Sequence, residues 1–471
     1  MILYGFLLLV AASCAVSLSR WRAGLWCIIL LGSLQDPVRK MVPGAPSYLA
    51  LSTIPIWFSL LIGAKSAGDL SWERFTRILP GPSKWMVLFI ICLLPPAVLS
   101  LTYSPGSWQF TLLGAYAYGS VLAVILVGMF YPRKEGDLER LLSWYVGVNA
   151  VFLIGSPLEP LGIGTDSGLI GTSKLDMVWV SYRVMGSVVK LYAGLYRSPD
   201  VMGWHASTVV MFSLLLAVRS AGWRRVLFLA AAGWGGVGLI LCARRKMVAA
   251  VAVFAVVLIA LLFRYGQARR VGLLLALMIA GMAVSARFYQ LAGADNTVEL
   301  YYGTLQDDAV DRVQRHGVDA VAATVRQAGF FGYGLGMAVQ GAQNIKAERP
   351  RIWQESALDK AAAEIGVPGL LALFLLVGGF VAAAHRMLLR VGSHPGGWMV
   401  MGIGALLVAN ASGAVVSSQI FGDPYIGTFI VFLLGLMFSG ARLAPAAAPA
   451  PASTPASRGP VARPSPAVIS A

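Results

Sequence analysis

Long apolar runs separated by short polar segments are the dominant pattern along the chain. A membrane-spanning helix needs ~20 mainly apolar residues, with a range of ~17–25. Runs of this kind lie at 2–19, 21–35, 47–64, 85–103, 110–131, 140–156, 201–218, 225–242, 247–263, 271–286, 366–386, 398–417 and 424–441. The run at 21–35 is short and is also compatible with a re-entrant segment. The pattern therefore predicts an all-α fold, a polytopic bundle of 12–13 transmembrane helices.

The spacing of the runs divides the chain into three sets of transmembrane helices, two long loops between them and a C-terminal tail. We assign 1–156, 201–286 and 366–441 to transmembrane helices, 157–200 and 287–365 to long external loops with short amphipathic helices, and 442–471 to a disordered tail. Long loops in compact proteins are usually functional, so 287–365 is the predicted catalytic loop. The sequence shows no internal repeat of the transporter type.

Composition supports the membrane interpretation. Hydrophobic residues make up 58 % of the chain, charged residues 12 %, and the mean hydropathy is +0.73. A soluble globular chain has about 45–50 % apolar and ~25 % charged residues. The four cysteines all lie in apolar runs, which excludes a disulfide scaffold, and no Cys/His motif with zinc-ligand spacing is present. We therefore predict neither a metal nor a cofactor.

The net charge of +16 is distributed unevenly between alternate loops. One set of loops holds 20 of the 37 basic and 5 of the 21 acidic residues, so the other set holds 17 basic and 16 acidic residues. Cytoplasmic loops of membrane proteins collect Lys and Arg. This rule places the first set and the tail in the cytoplasm, and both long loops on the outer side. Because topology accounts for the excess charge, a nucleic-acid partner is not expected.

A cationic turn, Cys242-Ala243-Arg244-Arg245-Lys246, lies between two apolar spans at the predicted outer face. Three uncompensated positive charges there oppose the charge rule that the other loops follow. Charged residues in such places are costly and tend to be functional, and Arg binds phosphate oxygens as a bidentate fork. The turn is a predicted phosphate or pyrophosphate site. The alternative is that the turn is cytoplasmic, which would place both long loops in the cytoplasm as well.

The first external loop carries Arg183, Lys190 and Arg197 ahead of the next span. Such residues can snorkel to the lipid headgroups, although the glycine and amphipathic stretch after Arg183 favour a directed role for that residue. We expect the following helix to start after Asp200, a possible N-cap. His205, at the start of this span, has either a functional or an interfacial role.

The second external loop contains two predicted helices. An apolar stripe runs from Val310 to Ala328, with Arg312 off the stripe, and the helix is expected to end at Gly329. The glycine-rich turn 330–336 allows either close approach of a phosphate or a tight bend. A capping box at 356–359 starts a second helix, which is expected to end at Gly366. Glu355 precedes this helix and is a candidate general base, or else a helix-dipole carboxylate or an ion-pair partner of Arg351.

Three stretches resemble the O-antigen ligase and Wzy-type polysaccharide polymerase superfamily of bacterial inner-membrane glycosyltransferases. They are AGLYRSPDVMGWHAS at 193–207, the passage from Asp311-Arg312 to the glycine turn, and ESALDKAAAEIGVPG at 355–369. Ligases of this family carry His where this chain has Glu355. The resemblance therefore implies a polymerase of exopolysaccharide or O-antigen repeat units, with an O-antigen ligase as the alternative.

The resemblance also implies a metal-independent transfer from an undecaprenyl-pyrophosphate-linked oligosaccharide. By this likeness the residues that hold the pyrophosphate are Arg183, Arg244, Arg245 and Arg312. Glu355 is the implied catalytic base, with Arg312 and Arg244 as catalytic electrostatic groups. The implied surroundings are the lipids of the bacterial inner membrane, with flippase and chain-length or export proteins as further partners.

A transporter or flippase is the main alternative outside the enzymes. Transporters often show repeats and broken helices at mid-membrane, whereas the predicted spans here are almost free of charges. A membrane scaffold for a secretion complex is a further alternative. The sugar, the linkage, the acceptor and the oligomeric state are left open by the sequence.

Overall fold

The computed structural model describes residues 1–175, 180–182, 188–265, 271–272, 314, 319–339, 341–348, 350, 354, 356–392, 394, 397–416 and 422–443. The helices are α1 Ile2–Ser19, α2 Trp21–Met41, α3 Ile54–Ser66, α4 Trp72–Ile78, α5 Pro80–Ser100, α6 Trp108–Gly114, α7 Val121–Phe130, α8 Glu135–Phe152, α9 Gly155–Leu158, α10 Pro199–Arg219, α11 Gly222–Cys242, α12 Arg245–Arg264, α13 Ala320–Ala328, α14 Ala357–Val391, α15 Gly397–Val416 and α16 Pro424–Leu443. Two short strands, β1 Val180–Tyr182 and β2 Val188–Lys190, pair antiparallel within the first long loop.

The chain is a multi-pass helical membrane protein. Among the described residues, ten helical segments are long and apolar enough to cross a membrane, and α16 contributes a shorter apolar stretch, Pro424–Gly440. The expected span at 271–286 lies almost wholly outside the described residues. The expected all-α, multi-pass architecture is therefore confirmed, with a short two-stranded ribbon inside the first long loop, while the number of spans stays a prediction.

α2 is longer than the apolar run at 21–35, although it is not one of the ten helical segments that are long and apolar enough to cross a membrane. It is a continuous helix of 21 residues, and its last two turns carry Asp36, Arg39 and Lys40. These charges ended the apolar run in the sequence, but Asp36 and Lys40 are only 1 % and 3 % exposed. Partners from other segments of the chain compensate them, so the helix continues past the point where its hydrophobicity ends.

α10 is the central helix of the bundle. Of its 21 residues, 18 are buried, and it packs against α8, α11 and α12. Gly235 of α11 lies directly against the backbone of α10: a Cβ at position 235 would be 2.9 Å from the Ala206 carbonyl oxygen. A helix enclosed on all sides presents no free face to lipid. The first turn of α10 is therefore held rigidly against its neighbours.

Contacts between loops identify the two ends of the bundle. At one end Arg22 Nη1 lies 2.7 Å from Asp69 Oδ2 and its Nε donates to the Tyr131 carbonyl, while Arg219 pairs with Glu139. At the other end lie the described parts of both long loops. Arg197 of the first loop binds Asp36 near the end of α2 and Asp423 just before α16, and Tyr333 and Ala338 of the second loop bind Tyr103 and Glu364 of α14. We call this second end the long-loop end.

α14 is broken one quarter of the way along its length. Ser356 Oγ accepts the Asp359 N–H at 3.1 Å and caps the helix, as the sequence predicts. Gly366 then has φ 61° and ψ −167°, and Pro368 follows. The predicted end of a first helix at Gly366 is therefore confirmed as a break in the backbone, although the chain resumes a helix at once.

Candidate functional site

The cationic turn is a tight connection between α11 and α12 at the long-loop end. α11 ends at Cys242, Ala243 takes a left-handed conformation with φ 48° and ψ 29°, and Arg244 is the N-cap of α12. A left-handed non-glycine residue costs about 1–2 kcal/mol. Contacts on both sides maintain the turn: the Tyr192 N–H donates to the Leu241 carbonyl, and buried Cys242 packs over Gly203 of α10.

Asp200 in the first turn of α10 binds two of the three cations of this turn. Its Oδ2 lies 2.9 Å from Arg244 Nη2 and its Oδ1 lies 2.6 Å from Lys246 Nζ. Asp200 is 4 % exposed, whereas the Arg244 and Lys246 side chains are 24 % and 17 % exposed. The expectation of three uncompensated charges was therefore wrong, because a carboxylate distant in sequence lies directly beneath them.

Asp200 is not the N-cap that the sequence suggested. Ser198 occupies that position, its Oγ accepts the Val201 N–H at 3.2 Å, and the helix begins at Pro199. Serine is as good an N-cap as aspartate, and proline is favoured at the first helical position. Asp200 is one residue further into the helix, where its carboxylate is turned toward the cations of another connection and still benefits from the helix dipole.

A buried ionic clamp lies next to this turn. Arg197 is 9 % exposed; its Nη1 lies 2.8 Å from Asp36 Oδ1, its backbone N–H donates to Asp36 Oδ2, and its Nη2 pairs with Asp423. The other oxygen of Asp423 accepts the N–H groups of Tyr425 and Ile426 and caps α16. The clamp joins α2, α16 and the segment that leads into α10, so Arg197 does not snorkel to the headgroups.

The segment before α10 is fixed at Gly194 as well. Glu159 Oε2 accepts the N–H groups of Ala193 and Gly194 at 2.8 and 2.7 Å, and Lys40 Nζ donates to the Gly194 carbonyl at 2.9 Å. The close approach of this backbone to Gly155 needs glycine at 194, where φ is 56° and a Cβ would lie 2.8 Å from the Gly155 carbonyl carbon. Residues 193–200 therefore form a rigid support for the cationic turn.

His205 is a packing residue within the bundle. It is 1 % exposed, its Nδ1 lies 2.8 Å from the Tyr145 hydroxyl, and its ring stacks on Tyr196 and Tyr425 with centroids 4.8 and 5.8 Å away. Aromatic faces enclose the imidazole, so it is not presented to either end of the bundle. Its position favours neither of the two roles that the sequence left open.

The glycine-rich turn is a close-packed insertion between helices. Gly332 abuts the Ala363 carbonyl of α14, Gly334 abuts Ser100 of α5, and Gly336 abuts Phe110 of α6. The N–H groups of Tyr333 and Leu335 donate to the carbonyls of Ala363 and Pro96. Of the two interpretations of its glycines, the structure favours the tight bend, because donors on both sides of Gly334 are already used.

A carboxylate that the sequence did not indicate anchors this turn. Glu364 is fully buried, and its Oε1 accepts the N–H of Ala338. Nearby, the Tyr103 hydroxyl donates to the Tyr333 carbonyl at 2.7 Å. Burial raises the pKa of Tyr103, which keeps this hydroxyl protonated as a donor. α5, α6 and α14 are thus joined to the described end of the second long loop.

Of the predicted site residues, the structure brings together Arg244 and Arg245, with Lys246 beside them. Arg183, Arg312 and Glu355 lie outside the described residues. Sequence reasoning missed the use of Asp200 as an ion-pair partner, and it missed four further acidic residues, Asp36, Glu159, Glu364 and Asp423. A sequence signal exists for Asp36 and Asp423, since each lies in an Asp-Pro pair next to an apolar run.

Among the described residues, no group of three or more His, Cys, Asp or Glu side chains is arranged to hold a metal ion. No family model matches the chain, and no match is found among curated proteins.

Proposed function

We propose that the protein is a membrane glycosyltransferase that polymerises exopolysaccharide or O-antigen repeat units at the periplasmic face of the bacterial inner membrane. The donor is an undecaprenyl-pyrophosphate-linked oligosaccharide, and the acceptor is a sugar hydroxyl. The proposal takes the long-loop end as periplasmic, on the strength of the Lys and Arg bias toward the opposite loops.

The observation that carries the proposal is the cationic turn over Asp200. Arg244 and Lys246 approach a single buried carboxylate, and their side chains are partly exposed at the long-loop end. Fixed cations where negative charge develops are a major source of catalysis. The residues on which the turn rests, Asp200 and Gly203, belong to the enclosed helix α10, so the cations need little reorganisation when an anion binds.

The proposed reaction forms one bond and breaks one. The oxygen of the acceptor hydroxyl attacks the anomeric carbon of the donor, and the bond from that carbon to the pyrophosphate oxygen breaks. The leaving undecaprenyl pyrophosphate keeps the bonding electron pair. Arg183, Arg244, Arg245 and Arg312 are proposed to stabilise its charge, and Glu355 is proposed to accept the hydroxyl proton.

Reconstitution with a lipid-linked repeat unit tests this function. Glu355→Gln keeps the shape of the side chain but removes its basicity, and general-base assistance typically contributes ~10²–10⁴-fold. We therefore expect Glu355→Gln to bind the donor normally and to elongate polymer at least ~100-fold more slowly. Near-normal elongation by this variant would exclude Glu355 as the base.

Arginine variants provide a second arm of the same experiment. Arg244→Ala and Arg312→Ala each remove a charge-assisted contact worth about 1.5–3 kcal/mol, which corresponds to a loss of tenfold or more. Arg326→Ala is the matched control, because Arg326 is exposed on α13 at the same end of the bundle. An equal loss in all three variants points to a folding defect instead of lost chemistry.

An O-antigen ligase is a related candidate. The two enzymes differ in their acceptor, which is lipid A-core for a ligase and a second repeat unit for a polymerase, so an assay with each acceptor distinguishes them. A transporter is the candidate of another class, favoured by the break in α14 at Gly366. Transporter sites lie near the bilayer midplane, whereas Asp36, Asp200, Glu364 and Asp423 all lie toward the long-loop end. Transfer of donor across vesicles without formation of a glycosidic bond would establish the transporter.

A further inference from the structure

The ion pairs of Asp200 have a geometry that suggests a role beyond neutralisation. Each carboxylate oxygen serves a different cation, Oδ2 for Arg244 and Oδ1 for Lys246, at 2.9 and 2.6 Å. The two oxygens of one carboxylate have a fixed separation. Two long, flexible side chains are therefore bound to the same rigid group, and each loses rotamer freedom before any ligand arrives.

The carboxylate itself is immobile. Asp200 is 4 % exposed and belongs to the first turn of α10, of whose 21 residues 18 are buried. Three residues before it, Arg197 is held by Asp36 and Asp423, and the preceding segment is held at Gly194 by Glu159 and Lys40. Because Asp200 is fixed relative to the core of the bundle, the ends of the Arg244 and Lys246 side chains that it binds are fixed relative to the core as well.

We infer that Asp200 is a positioning residue that holds Arg244 and Lys246 side by side, so that both cations engage one diphosphate and the cationic turn binds pyrophosphate more tightly than a single phosphate. This inference rests on the proposed function for the identity of the natural ligand. It assigns Asp200 and Lys246, which the family likeness did not include among the ligand-binding residues, to the same site. Asp200 acts through the two cations and does not contact the anion.

The sign of one mutational effect tests the inference. Asp200→Asn raises the net charge beside the turn by one, so simple electrostatics predicts tighter anion binding. Positioning predicts the opposite: binding of inorganic pyrophosphate to the purified full-length protein should weaken by about tenfold or more, the usual scale of a charge-assisted contact. Orthophosphate binding should change less. Unchanged or tighter pyrophosphate binding by Asp200→Asn overturns the inference.

A double-mutant cycle separates positioning from a general structural role. In an Arg244→Ala background, Asp200→Asn should add little further loss, because one of the two cations that it positions is already absent. A purely structural role for Asp200 would cause the same loss in both backgrounds. Asp200→Glu, which restores the charge with one extra methylene, should bind pyrophosphate with an affinity between those of the wild type and Asp200→Asn.

Lys246→Met keeps the test valid even if Asp200→Asn does not fold. This variant leaves the Asp200–Arg244 pair in place and should lose pyrophosphate affinity by about tenfold or more. The matched control is Lys346→Ala, which removes one exposed positive charge at the long-loop end and should bind normally. Normal binding by Lys246→Met, or no saturable pyrophosphate binding by the wild type, overturns the inference.

These outcomes are independent of polymer synthesis. Pyrophosphate binding that depends on Asp200, in a protein that does not extend a lipid-linked glycan, would leave the inference standing and reject the proposed function. Polymer synthesis by a protein whose pyrophosphate affinity is unaffected by Asp200→Asn would support the proposed function and reject the inference about Asp200.

Discussion

Arg197 shows how a single residue of unremarkable sequence context supports the site. Its guanidinium meets carboxylates from two segments far apart in the chain, Asp36 and Asp423, whose side chains are both 2 % exposed. Removal of one partner from a buried ion pair typically costs about 3–5 kcal/mol, because the other charge remains desolvated. We expect Arg197→Leu to lower the free energy of unfolding by this amount, as measured by denaturant or thermal unfolding in detergent.

The matched control is the ion pair between Arg219 and Glu139 at the opposite end, where the side chains are 41 % and 32 % exposed. Pairs that remain accessible to water contribute about 0–1 kcal/mol. Glu139→Gln should therefore change stability little. Similar losses in Arg197→Leu and Glu139→Gln would show that burial does not distinguish the two pairs.

At the scale of elements, the break in α14 and the glycine-rich turn depend on each other. The Val367 N–H donates to the Phe330 carbonyl, and the Tyr333 N–H donates to the Ala363 carbonyl. At Gly366, with φ 61° and ψ −167°, a Cβ would overlap the Phe330 carbonyl oxygen. Backbone of this kind is essentially restricted to glycine, and strained residues cost of order 1–3 kcal/mol. Gly366→Ala should destabilise the protein by at least about that amount.

The control for Gly366→Ala lies in the same helix. Gly378 is exposed, and no atom lies within 4 Å of the point that a Cβ would occupy there, so the methyl group of an alanine meets nothing. Alanine is favoured over glycine in a helix interior by about 1 kcal/mol, and Gly378→Ala should be neutral or slightly stabilising. A loss of stability in Gly378→Ala equal to that in Gly366→Ala would contradict a special role for the backbone conformation of Gly366.

For the whole molecule, the distribution of charge predicts which end faces the periplasm. We expect a cysteine at Asn344, exposed at the long-loop end, to react with a membrane-impermeant reagent in cells with a permeabilised outer membrane. A cysteine at Lys134, exposed at the opposite end, should be protected, as should one at Ser453 in the tail. All three variants require a background without the four native cysteines. Labelling at 134 or 453 but not at 344 would reverse the orientation.

The amino-acid sequence by itself determined the class of protein and most of its helices. Apolar runs of membrane length suffice for this, because the cost of exposing backbone polar groups to lipid leaves a helix as the conformation available to such a run. Local signals also determined the end of α13 at Gly329 and the cap of α14 at Ser356, since each depends on neighbouring residues alone, and Gly366 with Pro368 marked where α14 breaks.

Only the tertiary structure decided how the charges are used. α2 extends past its apolar run because Arg197 pairs with Asp36 and the Gly194 carbonyl accepts from Lys40, and 161 residues separate Asp36 from Arg197 along the chain. The cationic turn is partly compensated because α10 brings Asp200 beneath it, and the glycine-rich turn packs because α5, α6 and α14 converge on it. Charge compensation and close packing depend on which residues are neighbours in space. The hydrophobic periodicity of one sequence does not show which distant segments supply those neighbours.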